Sequence, residues 1–263
     1  MSLSIDLTGR RALVSGVTRG IGAGIAQMLA RAGCDLAGCG RSPLQSAAAQ
    51  EFLATIAAEG RRAVYHAADL SHPAEAARWV AAAIDALGGC DILICNAGRN
   101  IFRGAAQCSE EEWAECMQLD LAASWQLAQA ARPYLERGRD AVIIIITSNH
   151  AYSTIPGCFP YNVAKAGLAA LVQSLAIEWG PRIRTVGIAP GFIDTAGNDT
   201  WFAGFADPAA ERARTERMHP VGRIGTVAEI GALCAFLATP LAGFISGTTI
   251  LADGGRSALM QDH

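Results

Sequence analysis

The chain has 263 residues, of which 51% are hydrophobic and 17% charged, with a formal net charge of -3 and a pI near 6.0. This balance predicts a soluble globular protein, and it gives no overall basic field that would attract nucleic acid or an anionic membrane. The longest purely apolar run, AVIIII at 141–146, is far shorter than the roughly 20 residues of a membrane-spanning helix, so it predicts a buried strand.

Short apolar runs alternate with longer segments of helical period along the chain. The runs, each predicted to contain a strand, are 11–16, 34–39, 63–69, 91–98, 141–148, 183–191 and 248–255. The segments predicted to be helical are 21–32, 43–58, 73–87, 109–137, 161–179 and 226–238. Such alternation predicts right-handed βαβ crossovers and an α/β fold, a doubly wound parallel sheet of about seven strands with helices on both faces.

No linker, repeat or change of composition divides this alternation, so residues 1–263 are predicted to form one domain. The segment 196–220, AGNDTWFAGFADPAAERARTERMHP, interrupts the rhythm just after a predicted strand end. We interpret it as a helical lid. Its Trp201, Phe202 and Phe205 either cover an apolar substrate or pack in the core.

The cysteines and histidines show no metal-binding spacing. The eight cysteines contain no Cys-x-x-Cys pair, and the five histidines form no His-Glu-x-x-His motif. Several cysteines lie in apolar segments, which is typical of reduced thiols that pack as small hydrophobic side chains. We therefore expect no metal site. Because the start, MSLSIDLTGRR, has no apolar segment of the kind a secretory signal needs, we expect a cytoplasmic protein.

A glycine-rich turn follows the first predicted strand. Gly16, Gly20 and Gly22 in SGVTRGIG have the spacing G-x-x-x-G-x-G. Glycine at these positions lets the backbone turn sharply and approach a pyrophosphate, which binds at the N–H groups and positive dipole of the next helix. The turn lacks Gly-Lys-Ser/Thr, which argues against a P-loop NTPase. The sequence therefore predicts a dinucleotide site.

The end of the second predicted strand indicates which dinucleotide binds. An acidic residue there would bind the ribose hydroxyls of NAD, but the sequence GCGRS has Gly40 at this position, followed by Arg41. Arg19 lies in the glycine turn. Two guanidiniums near one ribose suit a 2′-phosphate, unless both are simply solvated surface charges. We expect NADP to be preferred over NAD.

A tyrosine, a lysine and a serine form the candidate catalytic group. Tyr161 and Lys165 are four residues apart in a helical segment and therefore share a face. Lys165 is the single lysine among 21 basic residues. A phenol has a pKa of about 10, and an adjacent ammonium stabilises its phenolate. Ser148 ends the strand 141–148, at the edge where parallel sheets carry their chemistry, and its hydroxyl can bind a substrate oxygen.

Taken together, these motifs resemble the short-chain dehydrogenase/reductase family, in its single-domain branch, over nearly the whole chain. Further matching motifs are AADL with Asp69, CNAG at 95–98, PGFIDT at 190–195 and FISGTTILADGG near the end. The resemblance implies a Rossmann-like fold, a nicotinamide cofactor and a homodimer or homotetramer built through the helices around 109–137 and 161–179. It implies that Tyr161 is the general acid/base, that Ser148 orients the carbonyl or alcohol, and that Lys165 binds ribose hydroxyls and tunes Tyr161.

The resemblance also implies the residues that contact the cofactor, with Asp69 near the adenine and Ile193 and Thr195 near the nicotinamide. The full set is Ser15, Gly16, Arg19, Gly20, Ile21, Gly22, Arg41, Asp69, Leu70, Asn96, Ala97, Gly98, Tyr161, Lys165, Pro190, Gly191, Ile193 and Thr195. One catalytic position departs from the family pattern, because Asp120 stands where the family usually has asparagine. If that position acts mainly through its backbone carbonyl, aspartate is tolerated, although a carboxylate near Lys165 can alter the pH optimum.

The sequence says least about the identity of the substrate. Arg99 and Arg103 follow the CNAG motif and His150 follows Ser148, so these three are candidates to hold a carboxylate or a hydroxyl-rich molecule, although surface arginines explain the pattern equally well. We expect hydride transfer to or from a small polar hydroxy or keto compound such as a sugar or sugar acid. The alternatives are a 3-oxoacyl thioester reductase and a nucleotide-binding regulator without turnover.

Overall fold

The computed structural model describes residues 4–259, and a sheet of seven parallel strands runs through its centre. The strands lie in the order β3-β2-β1-β4-β5-β6-β9, and a separate pair is formed by β7 and β8. They are β1 (Arg11–Ser15), β2 (Asp35–Gly40), β3 (Ala63–Ala67), β4 (Ile92–Cys95), β5 (Val142–Ile146), β6 (Arg184–Pro190), β7 (Ile193–Asp194), β8 (Gly225–Thr226) and β9 (Thr249–Ala252). The seven-stranded, Rossmann-like parallel sheet predicted from the sequence is confirmed.

Helices cover both faces of this sheet. They are α1 (Gly20–Arg31), α2 (Ala47–Ala58), α3 (Pro73–Leu87), α4 (Glu110–Met117), α5 (Ala123–Leu135), α6 (Tyr161–Trp179), α7 (Ala196–Phe202), α8 (Pro208–Arg217) and α9 (Val227–Leu237). One core layer lies between the sheet and α1, α2 and α9, and the other between the sheet and α3, α5 and α6. Within β1, Ala12 and Val14 face the first layer while Leu13 faces the second, because successive side chains of a strand point to opposite faces.

The strand order reverses between β1 and β4, which lead to opposite halves of the sheet. Ligands of open α/β sheets bind at the carboxyl ends of the strands beside such a reversal. The site should therefore lie where the segments after β1, β4 and β5 meet. Among residues 4–259, no helix has both the length and the apolar character needed to cross a membrane.

The segment of the predicted lid, 196–220, contains α7 and α8. Its aromatic side chains pack mainly on one another, with ring centroids of Trp201 and Phe205 4.7 Å apart and those of Trp201 and Phe202 5.0 Å apart. Phe202 is buried, while Trp201 and Phe205 remain 44% and 39% exposed. Two of the three aromatic residues are therefore not packed fully into the core.

A buried ionic network fixes the opposite edge of the sheet, at the amino ends of the strands. The Asp91 carboxylate accepts hydrogen bonds from the backbone N–H and Nε of Arg11, both at 2.9 Å, and from the backbone N–H of Arg139 at 2.9 Å. Burial alone would raise the pKa of Asp91, but these hydrogen bonds hold that pKa below its usual value. The network joins β1 to the segments before β4 and β5.

Candidate active site

Ser15 links the ends of β1 and β4. Its Oγ donates to the carbonyl oxygen of Ile94 at 3.3 Å and accepts from the backbone N–H groups of Asn96 at 2.9 Å and Ala97 at 3.0 Å. The Asn96 side-chain amide donates to the carbonyl oxygens of Ser15 at 2.9 Å and Gly16 at 3.2 Å. The glycine turn and the CNAG motif therefore form one hydrogen-bonded unit.

The start of α1 has the features of a phosphate-binding turn. Gly16 has a φ of 76° and Gly20 one of 60°, which glycine adopts without strain. A Cβ at Gly22 would overlap the Gly16 carbonyl oxygen, so α1 can approach β1 this closely only with glycine there. The helix has no side-chain cap and no acidic residue in its first turn. Its first N–H groups thus fit the pyrophosphate of a dinucleotide.

Four other helices begin with a side-chain cap. Side-chain oxygens accept the hydrogen bond of a backbone N–H at the starts of α2, α4, α8 and α9, from Ser46, Ser109, Asp207 and Thr226. The starts of α3, α5, α6 and α7 have no such cap either, so the glycine turn in front of α1, and not the missing cap, distinguishes this helix start.

The end of β2 lies beside the same turn and is crowded. A Cβ at Gly40 would lie 3.0 Å from Cγ2 of Thr18 and 3.2 Å from the hydroxyl oxygen of Tyr65, which leaves little room for a carboxylate side chain. Arg19 and Arg41 are both exposed. Both guanidiniums are therefore open to solvent, whereas an acid at position 40 would need its neighbours to move.

Asp69 and Leu70 follow β3 on this side of the site. The Asp69 carboxylate accepts from the backbone N–H of Ser71 at 3.0 Å and from its hydroxyl at 2.7 Å. Partial burial acts to raise the pKa of Asp69, but the Ser71 hydrogen bonds and the nearby Arg41 charge lower it overall. Leu70 is buried. Asp69 and Arg41 are thus neighbours at the adenosine end that the sequence predicts.

Ser148, Tyr161 and Lys165 meet at the carboxyl end of β5. Ser148 follows this strand, and its Oγ accepts from the backbone N–H of His150 at 3.2 Å. Tyr161 begins α6, and Lys165 lies one turn later with its Nζ 5.4 Å from the centroid of the Tyr161 ring. Lys165 is 5% exposed, and its Nζ donates to the carbonyl oxygen of Ile146 at 3.3 Å. The three side chains predicted to act together are therefore adjacent.

The pKa of Tyr161 reflects two opposing influences. Burial raises the pKa of Tyr161, while the Lys165 ammonium and a hydrogen bond with Ser148 act to lower it. The negative charge of Asp120 acts in the same direction as burial. Lys165, the residue predicted to tune Tyr161, therefore acts to lower the pKa of this phenol, and Ser148 acts in the same direction.

Asp120 lies in a π-helical turn, Gln118–Ala122, between α4 and α5. Its side chain is buried, with Oδ1 accepting from the backbone N–H of Arg99 at 2.7 Å and Oδ2 facing the thiol of Cys116 at 3.7 Å. A Cβ at Gly98 would lie 2.8 Å from Asp120 Oδ1 and 3.5 Å from Lys165 Nζ. Burial raises the pKa of Asp120, and the Lys165 charge opposes this effect. Asp120 and Lys165 thus flank Gly98.

The segment at the end of β6 and just after it lies against the glycine turn. The Gly191 N–H donates to the carbonyl oxygen of Ala252 at 3.1 Å, and Pro190 and Ile193 are buried. Cγ2 of Thr195 lies 3.6 Å from the position of a Cβ at Gly20. The motif PGFIDT is therefore in contact with the predicted cofactor turn.

The three candidate substrate residues have different surroundings in the structure. Arg99 pairs with Glu115 and Arg103 pairs with Glu112, both on α4, so their charges are already compensated. His150 instead lies beside the catalytic group, with ring centroids of His150 and Tyr161 6.1 Å apart.

Comparisons with known proteins agree with this geometry. A family model described as enoyl-(acyl carrier protein) reductase matches residues 16–257. The chain is 33% identical over 254 residues to 3beta-hydroxysteroid dehydrogenase 1 of Eggerthella lenta, covering 96% of this chain and 95% of the relative. It is also 33% identical over 256 residues to 3-oxoacyl-(acyl-carrier-protein) reductase FabG of Vibrio cholerae, covering 95% and 98%.

A solved structure from Sinorhizobium meliloti 1021, assigned as a short-chain alcohol dehydrogenase, superposes with a TM-score of 0.90 at 35% identity, covering 97% of this chain and 99% of that one. The chain belongs to the short-chain dehydrogenase/reductase family. This is a family of oxidoreductases that generally use nicotinamide cofactors. The resemblance drawn from the sequence motifs is thereby confirmed at the level of the family.

Sequence reasoning missed two residues of this short-chain dehydrogenase/reductase site. The Phe102 ring lies edge-on to Tyr161 with centroids 5.2 Å apart, held by a backbone bridge between Phe102 and Pro160. Arg256 lies in the turn after β9, near His150. Burial lowers the pKa of His150, and the Arg256 charge lowers it further. Neither residue belongs to a motif with fixed spacing, so only the folded chain brings them to the site.

Among residues 4–259, no group of three histidine, cysteine, aspartate or glutamate side chains is placed to hold a metal ion. All eight cysteines lie in this range and are unpaired, and seven of them are buried. Burial raises the pKa of Cys39 to about 12, which keeps that thiol protonated at neutral pH.

Proposed function

We propose that the protein is an NAD(P)-dependent oxidoreductase that transfers a hydride between the nicotinamide and a secondary alcohol or ketone. The observation that carries this proposal is the meeting of Ser148, Tyr161 and Lys165 beside an uncapped, glycine-rich helix start. A protein that only sensed the nucleotide would not need a buried lysine next to a partly buried tyrosine. The family of the chain supports the same reaction class.

The residues of the chain divide the work as follows. The Ser148 hydroxyl donates a hydrogen bond to the substrate oxygen and so orients the substrate. Tyr161 donates a proton to that oxygen during reduction and removes it during oxidation. Lys165 favours the phenolate of Tyr161 through its charge and is placed to bind the cofactor ribose. The bound nicotinamide supplies or accepts the hydride.

Asp120 contributes through the shape of its helix turn. The hydrogen bond that its Oδ1 accepts from Arg99 N–H needs only an acceptor oxygen, which the amide of an asparagine also offers. The aspartate therefore preserves the contact expected at this position. We propose that the backbone of the π-helical turn, and not the carboxylate, completes the proton path to Lys165.

The cofactor proposal is NADP in preference to NAD. Its support is the crowding around Gly40, which disfavours an acidic ribose ligand, together with the exposed guanidiniums of Arg19 and Arg41. The remaining cofactor contacts are those predicted from the sequence, from Ser15 to Thr195. A 2′-phosphate would find positive charge partners at this edge, whereas the 2′-hydroxyl of NAD would find no carboxylate at position 40.

For the substrate we propose a small polar hydroxy or keto compound, such as a sugar or sugar acid. Residues 196–220 are proposed as its lid. A 3-oxoacyl thioester is a second candidate, which the match to the FabG relative favours.

We further propose one domain over residues 1–263 and a homodimer or homotetramer formed through α5 and α6. Trp125 on α5 and Val163 on α6 are 49% and 38% exposed. The unpaired cysteines are typical of a reducing compartment, which supports a cytoplasmic location.

A substrate panel tests the proposal. Secondary alcohols, sugars, sugar acids, ketones and 3-oxoacyl thioesters are assayed with NAD(H) and NADP(H) at the nicotinamide absorbance. Turnover that is lost in both Ser148→Ala and Tyr161→Phe supports the reaction. Cofactor binding without turnover of any compound would point to a nucleotide-binding regulator instead.

A further inference from the structure

Arg256 differs from every other arginine in the described chain. It begins a short 3₁₀ turn, Arg256–Ala258, directly after β9. Among residues 4–259 it is the one arginine that is partly buried and whose side chain has no hydrogen bond or ion pair. The other arginines without such a partner in this range are all exposed, namely Arg19, Arg41, Arg62, Arg137, Arg182 and Arg217.

An uncompensated guanidinium in this position is costly. Its five N–H donors need acceptors once water is removed, and a buried charge without a partner disfavours the folded state. Burial lowers the pKa of Arg256, and the nearby Arg214 acts in the same direction, while the Asp253 charge opposes them without reversing the shift. A functional ligand is one reason for a fold to keep such a group.

The turn that carries Arg256 is fixed. The Asp253 carboxylate accepts from the backbone N–H groups of Gly255 at 3.0 Å and Ser257 at 2.8 Å. The Arg256 N–H donates to the Asp253 carbonyl oxygen at 3.2 Å. Gly255 has a φ of 83°, and a Cβ there would lie 3.1 Å from Pro220. Because both Asp253 oxygens are engaged by the backbone, this carboxylate shapes the turn and does not pair with the Arg256 side chain.

Arg256 lies at the same edge of the sheet as the catalytic group. β9 pairs with β6, and β6 pairs with β5, so Arg256 follows a strand that is roughly 10 Å, or two strand spacings, from the one that precedes Ser148. Its charge acts on His150, whose ring is 6.1 Å from that of Tyr161. Arg256 therefore lies near His150 at the carboxyl end of the sheet, the end that carries the catalytic group.

The other positive charges near the substrate side are compensated. Arg99 and Arg103 pair with glutamates of α4, and Arg214 forms a two-pronged contact with Glu211 on α8. Arg256 is the uncompensated guanidinium that remains. Its planar donors suit the oxygen pair of a carboxylate or the oxygens of a phosphate.

We propose that Arg256 binds an oxyanion of the substrate, so that the protein acts on hydroxy or keto compounds that carry a carboxylate or phosphate several bonds from the reacting carbon. This inference rests on the proposed function of the same site and narrows its substrate class. It also moves the expected anion contact from Arg99 and Arg103 to the turn after β9.

Matched pairs of charged and neutral ketones test the inference. The probes are levulinate and 5-oxohexanoate, each with its methyl ester, and dihydroxyacetone phosphate with dihydroxyacetone, so that a carboxylate and a phosphate are separate arms. We expect the protein to prefer the anion in one of these arms by at least tenfold in kcat/KM. Arg256→Gln should reduce that preference by about tenfold, in the range of a lost charge-assisted hydrogen bond, and Arg256→Lys should reduce it less.

Arg62→Gln is the matched control, because Arg62 is an exposed arginine that directly precedes β3, at the amino ends of the strands and away from the proposed site. It should leave the preference unchanged. Equal kcat/KM for anions and neutral partners in the unmutated protein, or an unaltered preference in Arg256→Gln, would overturn the assignment. An equal loss for both members of a pair would also overturn it, because that result means general damage to the site.

A binding experiment separates this inference from the proposed reaction. In Tyr161→Phe, calorimetric titration with the same six compounds measures binding without turnover. Anion binding that is lost in Arg256→Gln supports the anion site, whether or not any ketone is reduced. If no ketone is reduced, only the proposed function is refuted. Reduction of ketones without anion-dependent binding leaves the reaction standing and refutes the role of Arg256.

Discussion

Replacing Lys165 by methionine removes the ammonium while keeping a side chain of similar length. Nζ lies 5.4 Å from the centroid of the Tyr161 ring, and a unit charge at this distance stabilises a phenolate by about 3 kcal/mol at an effective dielectric constant of 20. That energy corresponds to about a hundredfold loss of rate. The lost charge acts to lower the pKa of Tyr161. The pH at which the rate of alcohol oxidation rises should therefore be higher in the variant.

Lys165→Arg provides a second test at the same position. It keeps the charge, but the larger planar guanidinium must fit into the buried space of Lys165, which is only 5% exposed. Arginine also does not readily release a proton. We expect turnover to fall by about 10² or more. Initial rates of alcohol oxidation across pH, with thermal unfolding as the folding control, measure both variants. Turnover within threefold of the unmutated protein at every pH, in either folded variant, would refute the reasoning.

Three further predictions concern the acidic residues and the cofactor. Asp120→Asn should keep most activity and shift the rise of alcohol oxidation to lower pH, since Asp120 acts to raise the pKa of Tyr161; a hundredfold loss of turnover would show that the carboxylate is catalytic. Arg41→Asp should reverse the preference from NADP toward NAD in kcat/KM, and equal values for both cofactors in the unmutated protein would contradict the premise. Asp91→Asn should lower the free energy of unfolding at pH 7 by about 2 kcal/mol, since charged hydrogen bonds from Arg11 are lost. The pKa of Asp91 is depressed in the folded state, so its contribution is present above the unfolded pKa and lost as pH falls through the folded pKa. Urea unfolding at pH 7 and at pH 3 measures this, and an unchanged pH dependence in Asp91→Asn would contradict it.

Most of the fold could be predicted because local patterns and tertiary structure agree. The run 141–148 contains β5, Val142–Ile146, and the segment 73–87 coincides with α3, since apolar periodicity reports directly on which face is buried. The segment 109–137 was predicted as one helix, but it contains the π-helical turn Gln118–Ala122. A single π-helical turn interrupts the apolar period over only a few residues, and the periodic segments on either side of it still indicate one helix.

The candidate site could be predicted where its members belong to motifs of fixed spacing. Tyr161 and Lys165 share a helix, and their relation follows from the helical period. The ion pairs of Arg99 and Arg103 with α4 could not be predicted, because they depend on how a loop meets a helix. Arg256 is of the same kind, because whether its side chain finds a partner among residues 4–259 depends on how separate segments of the chain fold around the turn after β9.

Tyr161→Phe tests the central claim most directly, because it removes the proton-bearing oxygen and leaves the ring that packs against Phe102. With the best substrate of the panel, the variant should bind NADPH as the unmutated protein does, measured by the fluorescence of the bound nicotinamide, while turnover falls by about 10³. Turnover close to that of the unmutated protein, with cofactor binding intact, would contradict the assignment of Tyr161 as the acid and base of the reaction.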